Sequence, residues 1–113
     1  MGIYLLIGSG ISDGSALSVY VGKAQGLRSR VRSGHATKDW KRCLLIRREG
    51  LQPFNASDIS WLERRLIDVL LEAPEIDLIN RTPPPVEYVP EYKAEILERT
   101  VLAALGVLGA YVT

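Results

Sequence analysis

Residues 2–24 read GIYLLIGSGISDGSALSVYVGKA, and the order of apolar and turn residues in this stretch decides the fold class. Ile3-Tyr4-Leu5-Leu6-Ile7 is a short unbroken apolar run closed by Gly8-Ser9-Gly10, the pattern of a strand covered on both faces. Leu17-Ser18-Val19-Tyr20-Val21 alternates with period two and stops at Gly22, after a turn-rich segment through Asp13-Gly14-Ser15. Two strands in succession across such a turn predict a hairpin, so the sheet begins antiparallel.

Outward from the hairpin, Leu27 and Val31 place one apolar stripe on a short basic helix over about Gly26–Ser33, with Gly34 as its stop. Arg42 to Arg48 has an apolar centre with basic ends and is followed by Gly50 and Pro53, which predicts a third strand. Asn55 stands three residues before Asp58, a capping pattern, and Ile59, Leu62, Leu66, Ile67 and Leu70 follow at helical spacing. The prolines at 83, 84 and 85 end whatever precedes them. Pro90 opens a last helix from Glu91 to near Tyr111, with Ile96, Leu97, Val101, Leu105 and Leu108 facing inward. The expected architecture is α+β: a three-stranded antiparallel sheet flanked by helices, with a core over 1–82 and a proline-led helical extension over 83–113. That extension packs on the core or on a partner.

With 113 residues and 47% of them apolar, the chain has the size of one domain with one core. Its net charge of +1 selects no partner, but its charges are unevenly placed. Nine basic side chains (Lys23, Arg28, Arg30, Arg32, Lys38, Lys41, Arg42, Arg47, Arg48) fall between 23 and 48 against the single acid Asp39, while four glutamates and two bases follow Val86. A basic segment of this kind suits either a phosphate-facing surface or a solvated face neutralised by neighbouring acids. One cysteine excludes an internal disulfide and fits a reducing, cytoplasmic setting, and Cys43, inside Cys43-Leu44-Leu45-Ile46, reads as a small buried hydrophobe. The longest apolar run, Val101 to Val112, is shorter than a bilayer crossing needs, so no membrane partner is expected.

Glu63 is the anomaly: it lies on or beside the apolar stripe of its helix, four residues from both Ile59 and Ile67. A carboxylate drawn out of water needs a cation or hydrogen-bond donors. An arginine of the basic helix would make it an internal ion pair; alternatively, its hard oxygens suit magnesium. The apolar stripe at Leu27 and Val31 puts Arg30 close to the sheet edge, where a guanidinium can grip phosphate in a two-pronged way; the alternative for each of these arginines is solvated surface. Tyr4 and Tyr20 sit on strands, where aromatic residues usually pack, and a phenol acts as a base only with a cation near it. His35 follows the basic helix. Asn80 ends an apolar stretch, where it caps the turn into the prolines or holds a phosphate or water.

Gly2-Ile3-Tyr4, then Tyr20-Val21-Gly22-Lys23-Ala24, then Arg30 eight residues after Gly22, the helical Glu63 and Asn80 together resemble the GIY-YIG nucleases. Homing endonucleases, restriction enzymes and the incising subunit of bacterial nucleotide-excision repair belong to that family. The resemblance covers about Gly2 to Asn80. It implies a metal-dependent DNA endonuclease in which Tyr4 and Tyr20 are the motif tyrosines, Arg30 stabilises the transition state, Glu63 holds magnesium (or manganese), and Asn80 is a supporting polar group. Val21 replaces the motif isoleucine, and the segment between the motifs is longer than usual. His35 stands five residues after Arg30, where many members have a histidine four after, and joins the catalytic set. Lys23, Arg28, Arg32 and Lys38 are the expected DNA contacts, and a further domain or a second copy meeting the C-terminal helix is a further expected partner. The alternative reading is a non-catalytic DNA-binding or interaction module of a larger protein.

Overall fold

The computed structural model describes residues 2–10, 14, 16–24, 40–48, 53–80, 84–85 and 88–112, with backbone alone at 24, 111 and 112. Four strands and two helices follow in the order β1 (Gly2–Ser9), β2 (Leu17–Ala24), β3 (Arg42–Ile46), α1 (Ala56–Leu71), β4 (Ile76–Leu78) and α2 (Glu91–Val112). The basic helix expected over 26–33 lies outside the described residues.

The sheet runs β3-β1-β2-β4. β1 pairs antiparallel with β2 from Gly2↔Ala24 to Ser9↔Leu17, and with β3 from Ile3↔Ile46 to Ile7↔Arg42. The hairpin reading of 2–24 therefore holds, and Gly14 in its connection adopts φ +84°, a conformation that favours glycine. The sheet is mixed and four-stranded, which corrects the expectation of three antiparallel strands. β4 pairs parallel to β2 through Leu17↔Ile76, Ser18↔Asp77 and Val19↔Leu78. Three residues with an aspartate at the centre show no period of their own; the strand exists because β2 offers an edge. The Ala16 N–H donating to Glu75 O at 2.7 Å and the Ile79 N–H donating to Val19 O at 2.8 Å continue that pairing at both ends.

Strand alternation sorts β1 and β2 into two faces. Ile3, Leu5, Ile7, Leu17, Val19 and Val21 join Ile59, Leu62, Leu66, Ile67 and Leu70 of α1 and Leu97, Val101, Ala104 and Leu108 of α2 in one core. Each such side chain contributes about 1.5–3 kcal/mol by leaving water. Tyr4 and Leu6 are also buried, on the opposite face. β3 is an edge strand, and two expectations fail on edges and rims. Cys43 is exposed, because Leu44 and Ile46 are the β3 residues that turn toward the core. Ile96 is 40% exposed, because Leu97, one position on, takes the inward place.

α1 starts as the sequence implies. The Asn55 side chain accepts from Asp58 N–H at 2.8 Å, and Asp58 Oδ2 accepts from Asn55 N–H at 3.0 Å, a reciprocal capping box. The same Asp58 is buried and meets Lys93 Nζ of α2 at 2.7 Å, an approach of charges whose angle is not that of a hydrogen bond. A bidentate Arg65–Glu98 pair, Nε to Oε2 at 3.0 Å and Nη2 to Oε1 at 3.1 Å, ties the two helices nearer the surface. No described helix is long and apolar enough to cross a membrane.

Candidate active site

The hairpin brings the two motif tyrosines together. Tyr4 pairs with Gly22 and Leu6 with Tyr20, so Tyr4, Tyr20 and Gly22 share the sheet face away from α1. The rings of Tyr4 and Tyr20 stack with centroids 6.2 Å apart and planes 27° from parallel, within the range of favourable aromatic pairs. Gly22 is required here by contact: a Cβ on it would run into the Tyr4 ring at Cζ and the hydroxyl. Tyr4 is 1% exposed, and Tyr20 is the more accessible phenol of the pair.

Glu63 belongs to the other face. Its helix packs on the side of the sheet that carries Val19 and Val21, and Lys23, two residues past Val21, continues that side at the end of β2. Lys23 Nζ donates to Ser60 Oγ at 2.9 Å and stands 3.8 Å from Glu63 Oε1. Glu63 keeps 13% of its side-chain exposure, and among the described residues no donor hydrogen-bonds its carboxylate. Burial pushes that carboxyl above the usual carboxylate range, and the nearby Lys23 charge offsets part of the rise. Among the described residues the cation beside Glu63 is Lys23 of β2; the arginines of the basic helix, which the ion-pair reading of the sequence anticipated, lie outside the described residues. The other charges of α1 are engaged elsewhere: Arg64 Nε donates to Asp68 at 3.1 Å and its Nη1 to Pro84 O at 2.6 Å, and Arg65 holds Glu98.

Asn80 acts on the backbone of the second motif. Its Oδ1 accepts from Val21 N–H at 3.1 Å and its Nδ2 donates to Val21 O at 2.6 Å. The amide side chain thereby replaces a further residue of β4 and carries the pairing of β2 from Val19 on to Val21. These two bonds fix the strand segment between Tyr20 and Gly22; residues 81–83, which lead into the proline turn that Asn80 was expected to cap, lie outside the described residues.

Arg30, His35, Arg28, Arg32 and Lys38 lie outside the described residues. Among the described ones, no group of three or more His, Cys, Asp or Glu side chains is gathered to hold a metal, so Glu63 would be a single-carboxylate site. Such a site suits magnesium, which keeps several waters and is commonly held by one or two carboxylates with phosphate oxygens completing the shell. Ser60 was not evident in the sequence as a member of the site. Its signal was its place one helical turn before Glu63, combined with the strand parity that puts Lys23 on the Val21 side. Compared with protein-family models, with curated proteins and with solved structures, the chain matches none.

Proposed function

We propose that this chain is a metal-dependent DNA endonuclease of the GIY-YIG type, hydrolysing phosphodiester bonds with magnesium, or manganese in its place, at Glu63. The observation that carries the reading is the state of Glu63: a carboxylate mostly out of water, with no hydrogen-bond donor among the described residues and a lysine held at 3.8 Å. Burial of this kind is costly unless a cation completes it. When bound, the metal ion supplies positive charge to a phosphate oxygen and the leaving oxygen. Lys23 adds a second positive charge at the end of β2, and Arg30, assigned by resemblance, stabilises the charge that develops at phosphorus.

Tyr20, as its phenolate, is the base we assign to take the proton from the attacking water, since Tyr4 is enclosed and serves to seat the Tyr20 ring. The tyrosines and Glu63 lie on opposite faces of the sheet, so the substrate meets both across the end of β2, beyond the Asn80–Val21 pairing. The alternative, a non-catalytic DNA-binding or interaction module, draws on another observation. Leu102, Val107 and Leu45 are 61%, 45% and 50% exposed, on α2 and the edge strand β3, a surface suited to a further domain or a second copy.

Incubation of purified protein with supercoiled plasmid in magnesium, manganese or chelator separates the two. The nuclease nicks plasmid only with metal, and Glu63→Ala and Arg30→Ala each lower the rate about 100-fold or more. Salt-sensitive DNA binding without cleavage in any metal would select the module instead.

A further inference from the structure

The cation at Glu63 is not placed where simple pairing of charges would put it. An ammonium beside a desolvated carboxylate gains most by direct contact, at about 2.7–2.9 Å. Lys23 Nζ is instead 3.8 Å from Glu63 Oε1, too far for a hydrogen bond, and 2.9 Å from the hydroxyl oxygen of Ser60. Ser60 and Glu63 are three residues apart on α1 and so neighbours on one side of the helix. The hydroxyl takes the ammonium one turn short of the acid.

This matters for any divalent ion at Glu63. A lysine seated directly on the carboxylate would have to be displaced before a metal bound, and its charge would then be driven off by the ion. Held on Ser60, the ammonium does not hydrogen-bond the carboxylate oxygens, which no other described residue bonds either, and stays beside them, close enough to meet an anionic oxygen that the same metal binds. We propose that Ser60 is a positioning residue that holds Lys23 beside Glu63 rather than on it, leaving the carboxylate to a divalent cation and the ammonium to a phosphate oxygen of the substrate. The inference rests on the reading of Glu63 as the metal ligand.

The test is manganese binding without DNA, followed by paramagnetic broadening of amide signals around residue 63 in the full chain, with circular dichroism as the check on folding. Wild type broadens there, and Glu63→Ala does not. Ser60→Ala lets the ammonium settle on Glu63 and weakens manganese binding about tenfold, while Ser60→Thr, which keeps the hydroxyl, stays within about threefold of wild type. In a Lys23→Met background, Ser60→Ala has no effect, because no ammonium is left to settle. Unchanged binding in Ser60→Ala overturns the inference and leaves the Glu63 reading standing. A loss that persists in the Lys23→Met background overturns it as well, since Ser60 would then act on the helix rather than on the lysine. Manganese binding that is absent from wild type, or intact in Glu63→Ala, overturns the Glu63 reading and this inference with it.

Discussion

At the first turn of α1, Asp58 accepts the Asn55 N–H and receives Lys93 of α2 at 2.7 Å, while five residues on Glu63 accepts nothing among the described residues and has Lys23 at 3.8 Å. Both carboxylates sit on the same helix and both are largely out of water. The difference lies in what the neighbouring elements deliver: α2 brings a lysine directly onto Asp58, whereas β2 brings one that a serine intercepts. Charge lost to burial at Asp58 is offset within the fold, so that end of the helix is structural. At Glu63 no described residue hydrogen-bonds the carboxylate, and under the proposed function that acceptor capacity serves the metal ion.

The largest expected effect is at the structural end. Asp58→Ala removes half of the capping box and leaves Lys93 without its acid, and should cost about 3 kcal/mol in urea unfolding. A loss below about 1 kcal/mol would mean that Asp58 is no more structural than Glu63. Next in size is the converse at Glu63: Glu63→Ala should lower metal-dependent plasmid nicking about 100-fold or more, yet leave the unfolding free energy within about 1 kcal/mol of wild type. Destabilisation matching that of Asp58→Ala would reclassify Glu63 as a second structural acid.

A third substitution probes the strand that delivers Lys23. Gly22→Ala drives a methyl into the Tyr4 ring and should cost about 2 kcal/mol by chemical denaturation. A neutral result would mean that the tyrosine pair is free to move and does not fix the end of β2.

The smallest effect is read as a sign. Because burial raises the Glu63 pKa, the folded state holds that proton more tightly than the unfolded chain. The resulting stability is full below the ordinary carboxylate pKa, about 4.3, and is lost as pH rises through the folded value. Glu63→Gln removes this decline, so its melting temperature relative to wild type should rise between acid and neutral pH. A flat difference would place the carboxylate in water.

Much of this was legible in the residues themselves. The hairpin of 2–24 follows from an apolar run and a period-two run around a turn, and the start of α1 from Asn55 and Asp58. Glu63 stood out because a charge on an apolar stripe contradicts its surroundings. The motif tyrosines were placed on strands, but not the consequence of strand parity, which puts them on the face away from Glu63. Asn80 is conspicuous by its type and its position, but no local pattern reveals its use as a stand-in for a strand residue, because the partner, Val21, is 59 residues away.

Local rules thus determined the class, the hairpin, the capped helix and the suspect acid, since each is set by residues within a few positions of one another. Tertiary structure alone decided that a three-residue β4 exists, since its hydrogen bonds are supplied by the edge of β2. It alone decided that Cys43 and Ile96 face outward, since burial depends on which neighbour a strand edge or helix rim meets. And it chose Lys23 and Ser60 as the companions of Glu63, because the chain brings a strand end and a helix turn 37 residues apart within hydrogen-bond reach, a distance over which no periodicity carries information.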